Sequence, residues 1–249
     1  LMASFWVDSE DVFGGRLVLR GDEAHHLHKV RRQTVDDLID VVDGEGHFYR
    51  VRLLEIQRDR ALGEIVEHGV EVGEGPIKLI LAPALLKGQR FDFVLEKVTE
   101  VGVSAIWPVE SERGVARTKS EAKMERWHRL VRAAVKQCGR SRFPDIDQPA
   151  QLVAVVERLV ATCDVVFMGA LGDQLTEPWY SEKVSPKSSV GLLIGPEGGF
   201  SPGEIAFARE RGVSIFGWGK RVLRADTASV VLAGLLLREY GQLISYKKG

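Results

Sequence analysis

At 249 residues, with 45% hydrophobic and 28% charged side chains, the chain has an ordinary globular composition and room for one large domain or a small and a medium one. No apolar run approaches the roughly 20 residues of a membrane-spanning helix, and the start lacks the basic-then-apolar pattern of a secretory signal. Cys138 and Cys163 have no Cys-x-x-Cys spacing, which fits a reducing compartment and predicts a cytoplasmic protein without structural disulfides. The formal net charge of −1 hides an asymmetry, because residues 1–75 carry nine basic and sixteen acidic side chains and the remainder twenty-five and nineteen. Opposite signs predict two domains and place any attraction for a polyanion in the larger.

The first domain, 1–72, reads as mostly strands. A short helix is expected over 22–30, carrying His25, His26 and His28. Neighbouring histidines on a helix point in different directions, no Cys lies nearby, and there is no His-Glu-x-x-His, so no metal is expected. Packing or RNA contact is the expected role of His25 and His26. Leu38–Val42 and His47–Ile56 flank Asp43-Gly44-Glu45-Gly46, a hairpin connection. Phe5, Trp6, Phe48 and Tyr49 could stack on bases, although core positions in a small β domain suit most of them. Glu71-Val72-Gly73-Glu74-Gly75-Pro76 reads as the linker.

From residue 76 to 249 strands and helices alternate. Strands are expected over 77–82, 105–109, 164–168, 190–194 and 213–216, and helices over 90–101, Glu121–Cys138, 201–211 and 227–240. This order predicts an α/β domain with a mostly parallel sheet. In Glu121–Cys138, the residues Trp127, Leu130, Val131, Ala134 and Cys138 form a packing stripe. Arg129, Arg132, Lys136 and, if the helix persists, Arg140 lie on the other face. Between Arg113 and Arg142 ten basic residues face only two acidic ones, Glu121 and Glu125. A one-signed face of this kind predicts phosphate contacts.

The apolar run 190–194 stops at Gly195-Pro196-Glu197-Gly198-Gly199, and Ser201, Pro202 and Glu204 then spell a capping box with proline in the first turn. The run 213–216 stops at a second glycine-bearing loop, Gly217-Trp218-Gly219. Glycine loops at strand ends let backbone groups approach a ligand, and crevices at the carboxyl ends of parallel strands are where ligands bind. Neither a Walker loop nor a Gly-x-Gly-x-x-Gly fingerprint is present. Helix 227–237 is apolar nearly all round, which calls for cover on both sides and predicts a homodimer interface.

Leu193-Ile194-Gly195-Pro196-Glu197-Gly198-Gly199-Phe200-Ser201 and Gly219-Lys220-Arg221-Val222-Leu223-Arg224-Ala225-Asp226-Thr227-Ala228 closely resemble the ribosomal RNA small subunit methyltransferase E family. Matching positions run through His25-His26-Leu27, Lys87-Gly88, Glu96-Lys97, Thr99-Glu100, Gly102-Val103, Glu112-Arg113, Arg126-Trp127, Gln137, Arg140 and Pro144. The resemblance implies a SPOUT-type parallel sheet with a C-terminal trefoil knot, preceded by a small β-rich PUA-like domain. It implies S-adenosylmethionine as cofactor and methylation of N3 of a specific uridine in 16S rRNA of the small ribosomal subunit. The cofactor is then expected at Leu193, Ile194, Gly195, Glu197, Gly198, Gly199, Trp218, Gly219, Val222, Leu223, Thr227 and Ala228. RNA contacts are expected at His25, His26, Arg31, Arg113, Arg129, Arg132, Lys136 and Arg140.

Uridine N3 holds a proton at neutral pH, so transfer requires its removal by a side chain or by water. Asp226 is the candidate base, with Glu197 behind it, and Arg224 could stabilise charge on the uracil oxygens. The chain departs from the family at Arg31, at Asp36-Asp37 and at Asp226, where a longer carboxylate is usual. Two other readings stay open: a non-catalytic ribosome assembly factor, and a SPOUT methyltransferase with a different RNA target.

Overall fold

The computed structural model describes residues 4–114, 120–170, 189–217 and 221–239. Among them the chain forms two units, one of 4–74 together with Arg132–Phe143, the other of 75–131 and 144–239.

In the first unit, alternating apolar and polar residues build β1 (Phe5–Trp6), β2 (Val12–Phe13), β3 (Arg16–Arg20), β4 (Leu38–Val42), β5 (His47–Ile56) and β6 (Arg60–Val70). They form one sheet in the order β1-β4-β5-β6-β3-β2, antiparallel except for β1 on β4. The expected helix is α1 (Gly21–His25), which widens into a π-helical turn over His26–Val30 and sends Leu27 into a core with Leu17, Val41 and Val51. In the hairpin, Asp43 Oδ1 accepts the N–H groups of Glu45 (2.8 Å) and His47 (3.0 Å). Gly44 has φ +81°, and a Cβ there would stand 2.2 Å from the Phe143 ring. Only glycine lets the 132–143 segment seat on this turn.

The second unit alternates β7 (Lys78–Pro83), α2 (Gln89–Val101), β8 (Ala105–Ile106), β9 (Val109–Glu110), α3 (Glu121–Cys138), β10 (Asp145–Ile146), β11 (Ala150–Gln151), α4 (Leu152–Thr162), β12 (Val165–Gly169), β13 (Ser189–Ile194), α5 (Pro202–Glu210), β14 (Ser214–Phe216) and α6 (Ala225–Glu239). Of α3, the residues up to Val131 belong here, and those from Arg132 belong to the first unit. Six strands form a parallel sheet in the order β10-β8-β7-β13-β12-β14.

Successive strand residues point to opposite faces, so the sheet is buried on both sides. Leu79, Leu81, Leu192 and Ile194 meet α2, α6 and Trp127, while Ile80, Ala82, Met168 and Leu193 meet α4 and α5. The expected 105–109 strand divides in two at Trp107-Pro108. Helix α4 has no counterpart among the sequence-predicted elements. Its N-cap, Gln151, makes no side-chain capping bond, and its valine-rich run shows no sequence signal that separates helix from buried strand.

Candidate functional site

Strands β12, β13 and β14 lie side by side and parallel, so Gly169-Ala170, Ile194-Gly195-Pro196 and Phe216-Gly217 end together. With Glu197, Gly199, Arg221, Leu223 and the α6 residues Ala225, Ala228 and Leu232 they line an open cleft. Its floor is apolar and much of its wall is backbone, because small residues stand at the strand ends.

The turn after β13 is held from several directions. Gly199 has φ +67° and its N–H donates to Pro196 O at 2.8 Å. The capping box is formed: Glu204 N–H donates to Ser201 Oγ (3.2 Å) and Ser201 N–H donates to Glu204 Oε2 (2.7 Å). Glu204, 6% exposed, takes a second donor on Oε1, the Glu112 N–H at 2.9 Å. Arg90, at the start of α2, pairs with Glu197 at 2.6 Å. Arg113 Nη1 donates to Gly198 O at 2.9 Å and Phe200 O at 3.4 Å.

Of the expected cofactor residues, Ile194, Gly195, Glu197, Gly199, Leu223 and Ala228 line the cleft. Leu193 turns into the α4/α5 core, Val222 is 70% exposed, and Gly198 and Thr227 do not line the cleft. Trp218 and Gly219 lie outside the described residues. Sequence reading missed Gly169 and Ala170, since the end of β12 carries no glycine-loop signature.

Arg224 is exposed, and its carbonyl accepts the Ala228 N–H at 2.8 Å. Asp226, in the first turn of α6, accepts on Oδ1 from the Thr227 N–H (2.7 Å) and hydroxyl (3.3 Å). Cys163 is no candidate nucleophile, because burial first and the charge of Asp164 second push its thiol up to about 11.

The expected basic face does not hold together. Helix α3 ends at Cys138 and Gly139 turns left-handed (φ +80°), so Arg140 leaves the helix. Arg140 is 3% exposed and its guanidinium bonds Glu74 at 2.7 Å. Lys136 pairs with Glu23 at 2.5 Å, and Arg132 lies over the Trp6 ring at 3.9 Å. Arg129, His25 and Arg31 remain exposed. His26 is half-buried, edge-on to Phe5, and its pKa is lowered by burial first and by Lys136 second.

In α6, Leu236 is 2% exposed and packs in the sheet core, while Ala228, Val230, Val231 and Leu235 are half-buried. Among the described residues no three His, Cys, Asp or Glu side chains are placed to hold a metal, and no helix is long and apolar enough to cross a membrane.

Comparison with known proteins agrees with this layout. The RNA methyltransferase domain family matches residues 73–237, and the RNA methyltransferase PUA domain family matches 19–66. Ribosomal RNA small subunit methyltransferase E of Synechocystis is 31% identical over 90% of this chain and 74% of its own. A Legionella pneumophila protein solved with the cofactor SAM bound superposes with a TM-score of 0.84 at 28% identity, over 96% of this chain and 98% of that one. The Neisseria gonorrhoeae ribosomal RNA small subunit methyltransferase E, bound to S-adenosyl methionine, gives 0.83 at 27% identity over the same shares.

Proposed function

The chain belongs to the ribosomal RNA small subunit methyltransferase E family, and from that premise we propose that it uses S-adenosylmethionine to methylate N3 of a specific uridine in 16S rRNA. The observation that carries this reading is the cleft at the joined ends of β12, β13 and β14. The small residues Ala170, Gly195 and Gly217 in its lining let a flat adenine approach the backbone closely, and its apolar residues Ile194, Phe216 and Leu232 exclude water. When bound, S-adenosylmethionine supplies a methyl group on a sulfonium centre.

The side chains then have the nucleophile to prepare. Arg224, exposed just before α6, would stabilise negative charge on the uracil carbonyl oxygens. Asp226 uses Oδ1 to hold Thr227, so Oδ2 is the oxygen that would accept the N3 proton. RNA would be drawn by His25 and Arg31 in a PUA-like domain of residues 1–72, and by Arg129 in a methyltransferase domain of residues 76–249.

The wider reading has a SPOUT-type knotted C-terminal region, a homodimer and a cytoplasmic location. The knot is supported by β13 entering the sheet between β7 and β12, and the dimer by the half-buried apolar residues of α6. The test is to incubate the protein with labelled S-adenosylmethionine and small subunits lacking the modification, then map the methylated base. Label at uridine N3 is expected. Label at another base would transfer the proposal to a different target, and cofactor binding without transfer would leave a ribosome-binding factor.

A further inference from the structure

We infer that Arg113 is a positioning residue for the cofactor turn, acting in S-adenosylmethionine affinity and not in RNA binding; this rests on the function proposed above. Sequence pattern alone puts Arg113 at the start of a basic stretch, which reads as a phosphate contact. Its guanidinium is turned the other way. One nitrogen spans two carbonyls of the turn, Gly198 O at 2.9 Å and Phe200 O at 3.4 Å. The stem runs past Gly198 at contact distance, since a Cβ there would rest 3.6 Å from Arg113 Cβ and 3.7 Å from its Cδ. The arginine stem therefore lies flush along the turn.

A single exposed hydrogen bond of this kind contributes little. Here the neighbouring residue adds an independent anchor. The Glu112 N–H donates to Glu204, the buried carboxylate that also closes the α5 capping box. The dipeptide Glu112-Arg113 thus grips both ends of the segment from Gly198 to Glu204. Gly199, inside that segment, lines the cleft in a left-handed conformation. Fixing the carbonyls on either side of it holds the wall of the cleft in its binding shape before the ligand arrives, which lowers the ordering cost of binding.

The experiment compares wild type, Arg113→Ala and Arg113→Gln in the full chain. S-adenosylmethionine affinity is measured by calorimetry, and affinity for a 16S rRNA fragment is measured without cofactor by fluorescence anisotropy. Arg113→Ala should weaken S-adenosylmethionine binding about tenfold, the effect of losing a charge-assisted hydrogen bond at a partly solvated site. RNA affinity should stay within about twofold, since no phosphate contact is removed. Arg113→Gln keeps an N–H donor without the charge, so it should recover part of the cofactor affinity. In turnover, KM for S-adenosylmethionine should rise while KM for RNA holds.

The opposite pattern, with both variants weakening RNA and leaving S-adenosylmethionine untouched, would overturn the inference and restore a phosphate contact. Should Arg113→Ala fail to fold, the Gln variant decides alone by the same two titrations. A wild type that does not bind S-adenosylmethionine would instead remove the proposed function.

Discussion

The β unit and the α/β unit both set arginines against carboxylates and carbonyls, and they do so to different ends. In the β unit, the segment Arg132–Phe143 brings four basic residues and no acidic one, and three of the four find their counterions in the acidic first 75 residues. Lys136 takes Glu23, Arg140 takes Glu74, and Arg142 takes Glu71. In the α/β unit, Arg90 and Arg113 grip the turn that walls the cleft. One set holds a segment to its sheet; the other shapes a binding surface. A charge imbalance along a sequence can therefore be settled in part by ion pairs inside a unit.

The largest expected effect tests the first half of this contrast. Arg140→Ala leaves Glu74 buried without its partner and should cost about 3–5 kcal/mol of stability by urea unfolding. A loss below about 1 kcal/mol, joined to a weaker salt dependence of RNA binding, would make Arg140 an RNA contact after all.

The cleft is probed by two glycines that look alike in sequence. Gly199→Val forces a branched side chain into a left-handed backbone, a penalty above the roughly 1–2 kcal/mol of an ordinary residue there, so S-adenosylmethionine affinity should fall about 10- to 100-fold. Gly198→Ala meets only ordinary contact distances to Arg113 and should stay within about threefold. Calorimetry on the two variants checks the assignment; equal losses would mean that the conformation of Gly199 is not what the cleft depends on.

The smallest effect separates two cations of α3. Arg129→Ala should lower the log–log salt slope of RNA binding by roughly 0.7–0.9, as one lost phosphate contact does. Lys136→Ala should leave the slope unchanged and cost about 1 kcal/mol of stability through the lost Glu23 pair. Equal slope changes would join both residues in one RNA-facing surface.

Much of this layout was legible in the sequence where one local signal sufficed. Ser201-Pro202-Gly203-Glu204 predicts a capped helix start, and α5 begins there with the box closed. The stripe through Trp127 and Val131 predicts a buried helix face, and both are core. What was hidden depends on residues distant in sequence. The face of Arg132, Lys136 and Arg140 is sound as helical periodicity up to Cys138, but nothing local announces Glu23 or Glu74 as partners. The grip of Arg113 on the turn joins residues 113 and 198, and no spacing rule reaches that far. Ala170 lines the cleft only because β12 lies between β13 and β14. That is a property of the sheet, not of the strand.

The place of β13 also bears on how the protein comes to be functional. Ser189 pairs with Lys78 and Ile194 with Pro83, so the centre of the parallel sheet joins the beginning of the α/β unit to its final third. Pairings of such long sequence separation close slowly, because the loop entropy is spent before the contacts repay it. The cleft wall is the direct continuation of β13. During synthesis, therefore, no partial chain that ends before residue 199 carries the ligand-binding turn. Cofactor cannot template the early steps of folding and can add stability only after the last strands are in place. Refolding followed by recovery of S-adenosylmethionine binding should lag behind refolding followed by the secondary structure of the N-terminal strands.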